Sequence, residues 1–399
     1  MKQKIPAVIF GDHIAAYGVI RALHPHNIPL YIVSQTGKGL SVASRYVKKS
    51  ITLKSGSDAF FEKLIDWLYK EVGREAVFII AGDDDYLDIL AKYLQALPKG
   101  VRPTFPDACI VKLVREKRRS YGIAQELGIC VPKTNFVTTR NELEELINRK
   151  NTIDFPVLMR PEKHSLPFAL KYGKKAVICN NIDEVLSTYD SYAGFMGELL
   201  LQQLIPGGEH LLHNFIGVFN ASSDPIAVFM NRKRRSSDKF SSCTLMESMW
   251  HDEVLDISIR LIKKMGYVGY ANPEYKLDPR DGHLKLMEIN GRVTLSNSHA
   301  LRCGINLPLY MYTEVVEGPL NKKENFKQNY PDNVLWSDLL GDSMSALRLL
   351  IKKDLKLKEY LLSMRGSGYI FEPFNLLDPM PTMTNIKNRC TTLFTKTKG

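Results

Sequence analysis

Two short segments, NPEYKLD (272–278) and LMEINGR (286–292), place carboxylates, amides and cations at spacings that could do chemistry. In a strand, residues two apart share a face, so Glu288 and Asn290 point the same way. Whether Glu274 joins them depends on the hairpin register. A loop of five residues, 278–282, sets Glu274 opposite Leu286 and on the face of Glu288 and Asn290. A two-residue loop at 280–281 sets them on opposite faces. Binary patterning favours the longer loop. It gathers Asn272, Glu274, Lys276, Glu288 and Asn290 on a polar face, and Ala271, Pro273, Tyr275, Leu277, Met287 and Ile289 on an apolar one. Two carboxylates and an amide oxygen so placed suit a hard divalent cation that keeps some waters, as Mg²⁺ does when it bridges phosphates. Arg292 and Lys276 beside the acids favour a phosphate ligand. A solvated hairpin face with cross-strand Glu–Lys pairs fits the same pattern, and spacing does not choose between them.

The rest of the chain must position this hairpin. Its 399 residues, 44% hydrophobic and 24% charged, form an ordinary globular mixture, long enough for two or three domains and unlike a mostly disordered chain. AVIF (7–10), LYIV (30–33) and AVFIIAG (76–82) read as buried strands, with helical patterns at 14–23 and 58–71 between them. That alternation predicts a parallel, Rossmann-like layer over 1–108. Its first turn, GDHIAAYG, has glycines only at Gly11 and Gly18, so the three-glycine dinucleotide fingerprint is absent and NAD or FAD is not inferred. Residues 109–129 predict one helix, ended by Pro132. Linker helices and a small central unit occupy 109–200. From about 155 the pattern turns to short strands and hairpins, predicting an antiparallel α+β region over 201–320, followed by a C-terminal extension, 321–399.

Lys and Arg total 54 against 43 Asp and Glu, a formal charge of +11 that favours anionic partners. The six cysteines are scattered without a C-x-x-C pair, which argues against a zinc or redox site. No segment approaches the ~18–20 apolar residues of a membrane span, and the N-terminal apolar run stops at Gly11, too short for a signal peptide. The expected compartment is the cytoplasm.

The order of these pieces resembles the ATP-grasp superfamily, specifically its carboxylate–amine ligases, across nearly the whole chain. FPVLMRP (155–161) resembles the family's central-domain strand ending in Lys-Pro. LLLQQLIPGGEH (199–210) resembles the hinge that holds adenine, and FMNRKRRSS (229–237) the basic strand that contacts phosphates. Glu274 with Glu288-x-Asn290-x-Arg292 resembles the metal-binding acids and the E-x-N-x-R motif. The resemblance implies an ATP-grasp fold: an N-terminal Rossmann-like domain, a small central domain and an antiparallel C-terminal domain. It also implies that ATP is bound with one or two Mg²⁺ ions, Mn²⁺ being an alternative, held by Glu274, Glu288 and Asn290. Lys233 and Arg235 would face the transferred phosphate together, and Arg292 would hold a phosphate or acyl-phosphate oxygen. Gln202, Gln203, Leu204 and Ile205 would present backbone to adenine, Glu209 would accept from ribose, and Lys117, Arg160 and Lys276 would complete the nucleotide site. The implied reaction activates a carboxylate as an acyl phosphate and joins it to an amine. The partners are small, amino-acid-like molecules, with no nucleic acid; a homo-oligomer is compatible.

Two departures stand out. Arginine at position 160 replaces the lysine of Lys-Pro, and the segment EKHSLPFALKYGKKA (162–176) has a single glycine where a glycine-rich lid is common, leaving Lys163, Lys171 or Lys175 to close on phosphate. Both keep open a non-catalytic ATP-binding homologue with a regulatory role. Elsewhere, GDDDYLDIL (82–90) resembles the family's acidic loop near the substrate mouth, though Asp83 to Asp85 are expected to cap a helix beginning at Tyr86. His13 is expected to be a surface turn residue. Residues 344–364 predict one basic helix packed on the protein body.

Overall fold

The apolar runs near the N-terminus form β1 (Ala7–Phe10), β2 (Leu30–Ser34) and β4 (Ala76–Ile80), every residue buried. The structure is a computed structural model and describes residues 4–149, 153–162, 176–192, 198–237, 242–321 and 326–396. With β3 (Val47–Thr52) and β5 (Val101–Pro103) these strands make a parallel sheet in the order β3-β2-β1-β4-β5. The continuous hydrophobic runs follow from burial on both faces, with α1 (Ile14–Leu23) on one and α2 (Phe60–Trp67) and α3 (Asp84–Lys92) on the other. β3, VKKSIT, is a mostly exposed edge strand and carries no such run.

A second, antiparallel sheet contains β6 (Thr134–Val137), β7 (Val157–Pro161), β8 (Val177–Cys179) and β9 (Leu199–Gln203), in the order β6-β9-β7-β8. Leu143 of α6 (Arg140–Asn148) and Val185 of the helix Ile182–Tyr192 close its core against Met159 and Leu201. Lys163, Lys171 and Lys175 lie outside the described residues.

The third sheet has seven strands: β10 (Leu212–Phe219), β11 (Pro225–Ser236), β12 (Cys243–Ser248), β13 (Gly269–Leu277), β14 (Leu284–Asn290), β15 (Val334–Asp338) and β16 (Gly368–Glu372). Their order is β14-β13-β10-β11-β12-β15-β16. Residues beyond 320 therefore extend this sheet by two strands. The expected helix over 109–129 is broken into α4 (Ala108–Arg115) and α5 (Lys117–Glu126), because Glu116 takes extended dihedrals (φ −94°, ψ 114°). The expected helix over 344–364 is likewise two, Leu339–Ile351 and Leu357–Ser363, with Lys353 at φ 60° between them. Among the described residues no helix is long and apolar enough to cross a membrane.

The first and third sheets are stitched together where the chain leaves β14. The Val293 amide donates to Ile80 O (3.0 Å), and the Gly82 amide donates to Val293 O (2.9 Å). Gly11, at the end of β1, approaches this junction so closely that a Cβ would sit 1.9 Å from Ala81 O. Arg292 is thereby delivered to the C-terminal end of β4, where open α/β sheets receive ligands.

Candidate active site

The second and third sheets, with α3 and the turns that follow β1 and β4, line one cleft of about 770 Å³. Its floor is the hairpin β13–β14, whose register differs from the expectation. Leu277 pairs with Leu284, Lys276 with Lys285 and Tyr275 with Leu286, so the turn has six residues, not five. Continued regularly, this register would turn Glu288 into the apolar core that holds Tyr275, Leu286 and Ile289. A β-bulge intervenes. Met287 is the extra residue, after which Glu274 pairs with Glu288 and Asn272 with Asn290. The polar face survives through the bulge, and two expectations are corrected: Leu286 belongs to the core, and Met287 lines the cleft.

On this face Glu274 is held from both sides. Its Oε2 accepts from Lys233 Nζ at 3.0 Å and its Oε1 from Asn290 Nδ2 at 3.1 Å. Burial alone would pull Lys233 down, but the neighbouring carboxylate more than offsets it and holds the ammonium above its ordinary value. Beside them Asn214 of β10, directly opposite Glu274, is 3% exposed. Its amide orientation is set from below. His299, pushed down to about 4 by burial and so neutral, has Nε2 2.9 Å from Val334 O and Nδ1 3.3 Å from Asn231 Nδ2. Asn231 Oδ1 then accepts from Asn214 Nδ2 at 2.7 Å. Asn214 Oδ1 is left buried with no hydrogen-bond partner among the described residues. Two carboxylates, the Asn290 amide and this orphaned oxygen are a hard-donor set, and they fit a hydrated Mg²⁺.

Arg292 crosses the cleft to form a bidentate pair with Asp84 of α3, at 2.8 and 3.1 Å. Arg115 joins the same carboxylate at 3.2 Å. Lys117, the first residue of α5, donates to the Met287 carbonyl that the bulge exposes, and Tyr121 OH donates to the same oxygen at 2.8 Å. Burial first, and then the Arg160 charge, push Lys117 down to about 8. Leu204, Ile205 and Gln202 line the opposite wall. The Gln202 side chain donates to Tyr121 OH (2.9 Å) and Thr134 Oγ1 (3.1 Å), which fixes β9 against α5. Lys276 Nζ reaches the Ile205 and Gly207 carbonyls at 2.9 and 3.0 Å, bracing the segment after β9. Glu209 accepts from Ser236 Oγ at 2.8 Å and borders the cleft.

The match to known proteins agrees with this arrangement. Residues 226–309 match the family model described as carbamoyl-phosphate synthase L chain, ATP binding domain. The L-amino acid ligase of Bacillus licheniformis superposes with a TM-score of 0.61 at 14% identity, over 84% of this chain and 79% of that one. The biotin carboxylase domain of the Hydrogenobacter thermophilus 2-oxoglutarate carboxylase, solved with MgADP, ADP and bicarbonate, gives 0.64 at 15% identity, over 84% of this chain and 74% of that one. The chain has the ATP-grasp fold. It is also similar to the D-aspartate ligase of Enterococcus faecium, 22% identical over 280 residues, or 67% of this chain and 65% of that protein's length.

Within this ATP-grasp fold the sequence expectations sort by geometry. Lys117, Arg160, Gln202, Leu204, Ile205, Glu209, Lys233, Glu274, Lys276, Glu288, Asn290 and Arg292 all line the cleft. Arg235 and Gln203 do not. Lys233 pairs with Met246 and Arg235 with Leu245, so Arg234 is an extra residue that turns Arg235 to the other face of β11. There Arg235 binds Asp342 at 2.7 and 2.8 Å and lies over the Tyr360 ring. Gln203 donates its backbone N–H to Lys133 O and lines a separate depression behind the hinge. Asp83 caps α3, accepting from the Asp85 and Tyr86 amides, while the helix begins at Asp84, and Asp84 itself faces the cleft. His13 is exposed, as expected, yet sits at the cleft mouth 3.4 Å from Asp12. Asn214 escaped the sequence reading because HNFIGVFN shows an apolar run, in which an inward amide carries no periodic signal.

Proposed function

We propose that this chain is an ATP-dependent ligase that activates a carboxylate as an acyl phosphate and joins it to an amine. The observation that carries the reading is the half-buried cluster of Lys233, Glu274 and Asn290 facing the Arg292–Asp84 pair across one cleft. Glu274, Glu288 and Asn290 would hold Mg²⁺, which when bound supplies charge neutralisation to the triphosphate. The substrate carboxylate oxygen attacks the γ-phosphorus and ADP leaves; the amine then attacks the acyl carbon, phosphate departs, and the amine loses a proton to complete the amide. Lys233 lies where charge develops on the transferred phosphoryl group, and Arg292, released from or shared with Asp84, holds the acyl-phosphate oxygens. Leu204 and Ile205 enclose adenine, with Glu209 toward ribose. Similarity to D-aspartate and L-amino acid ligases supports amino-acid-like substrates.

The test is phosphate release with a panel of amino acids and amines. Wild type should release phosphate with at least one acid–amine pair, and Glu288→Ala should not; equal release by both would remove the metal assignment. Arg160 in the place of the usual lysine favours a second reading, an ATP-binding homologue without turnover. Calorimetric binding of Mg-ATP with no phosphate release across the panel would select it.

A further inference from the structure

The C-terminal edge of the third sheet is unlike the rest of the surface. Among the described residues nineteen large apolar side chains are exposed, and fourteen of them lie between Leu339 and Ile386. They fall in phase with their elements. Leu347 and Ile351 are one helical turn apart, as are Leu357 and Leu361, and each pair faces solvent. On β16, the edge strand beside β15, Tyr369 and Phe371 share the outward face with ring centroids 5.9 Å apart. These pieces are tied to one place. Tyr369 OH donates to Met364 O at the end of the short helix, the Phe374 amide donates to Phe371 O, and Arg389 of the last helix pairs with Asp338 at the end of β15.

The charges around this apolar edge are sorted by sign. From Leu339 to Cys390, seven cations are exposed: Arg348, Lys352, Lys353, Lys356, Lys358, Arg365 and Lys387. Only Asp354 and Glu359 are exposed among the five carboxylates, since Asp342, Glu372 and Asp378 are buried. Asp342 is spent on Arg235, Glu372 on Arg21, and Asp378 on Ser44 and the Arg45 amide. An exposed apolar surface ringed by lysine fits a surface of opposite charge with an apolar interior. A second copy of the same face would bring like charges together, which disfavours self-association.

We propose that residues 339–390 form a peripheral docking surface for an anionic lipid bilayer, with Leu347, Ile351, Leu357 and Leu361 entering the headgroup layer and the lysines contacting anionic lipid. The proposal is independent of the ligase reading. The experiment is co-sedimentation of the full chain with vesicles of phosphatidylcholine alone, or with about one third phosphatidylglycerol. Binding is expected to the anionic vesicles, with little to the neutral ones, and to weaken steeply with salt. Each of Lys352→Glu, Lys353→Glu and Lys358→Glu should weaken it at least about fivefold, the change expected for one lysine near an anionic surface. Leu357→Ser with Leu361→Ser should abolish it. Circular dichroism and nucleotide binding of these surface variants should match wild type. No vesicle binding, equal binding to both vesicle types, or a concentration-dependent dimer lost in the leucine variant would overturn the proposal.

Discussion

Lys233 Nζ stands 3.0 Å from Glu274 Oε2 across the width of the intervening strand β10. The same carboxylate is a proposed metal ligand, so arrival of Mg-ATP must exchange the lysine's partner from carboxylate to phosphate. Lys233→Met should therefore lower kcat by on the order of 10²–10³ while changing ADP affinity far less. Steady-state phosphate release and ADP calorimetry on the same preparation separate the two effects. A variant equally weakened in both would make Lys233 a ground-state binder.

Lys117 predicts a pH signature. Its ammonium is held down to about 8 without ligand, and an anionic triphosphate favours the charged form. Above pH 8 binding must take up a proton, so affinity falls by up to about tenfold per pH unit, while near pH 7 the uptake vanishes. Calorimetry in buffers of different ionisation enthalpy measures the proton count directly, and Lys117→Met should abolish the pH dependence. Without ligand the sign for folding is opposite. Between pH 8 and the ordinary lysine value the unfolded chain binds more protons, so this group makes stability rise with pH.

Lys276 is expected to act on the hinge. Lys276→Met leaves the Ile205 and Gly207 carbonyls without its donor and should weaken ATP binding by about tenfold, with kcat at saturation little changed. A fall in kcat at unchanged affinity would instead assign Lys276 to the transferred phosphate.

Arg235 should behave as a structural residue, unlike its neighbour Lys233. Arg235→Met strands Asp342 at 1% exposure and should cost about 3–5 kcal/mol in urea unfolding. ATP affinity of the folded protein should remain within about twofold of wild type, the scale of a distant surface change. Combining it with Asp342→Leu should restore much of the stability, since an apolar pair of similar volume replaces a buried ion pair.

Glu372 supplies a second pH window. Burial raises its carboxyl to about 7, and Arg21 at 2.6 Å only partly counters this. From about pH 4.5 to 7 the native state binds more protons than the unfolded chain, so wild type loses stability over this range as pH rises. Glu372→Gln should flatten that slope, by up to about 3 kcal/mol between pH 5 and 8 in urea unfolding.

The sequence made the three sheets and most of the cleft legible because buried strands write themselves as apolar runs and the hairpin as alternation. Glu274, Glu288 and Asn290 were placed on one face correctly, though by a regular five-residue loop instead of a six-residue turn and an extra Met287. Bulges have no composition signature; they appear only when two registers must be reconciled in three dimensions. The same blindness put Arg235 beside Lys233. Asp84 was legible as a helix-start residue but not as the partner of Arg292, 208 positions away, because nothing local joins them. Strand β15 went unread for a related reason: it joins the sheet through β12, far back in the chain, and β16 is then added to β15 only across two intervening helices.

The two extra residues also decide which changes of chain length this site can survive. Deleting Met287 would leave a regular hairpin in which Glu288 still pairs with Glu274 and faces the cleft, losing only the carbonyl that Lys117 and Tyr121 hold, and the exposed turn residues 279–283 can change in number without touching this register. Removing Arg234 likewise keeps Arg235 opposite Leu245, on the face away from Lys233 and toward Asp342. Each of these strands can therefore lose its one extra residue, Met287 or Arg234, without turning a cleft side chain into the core.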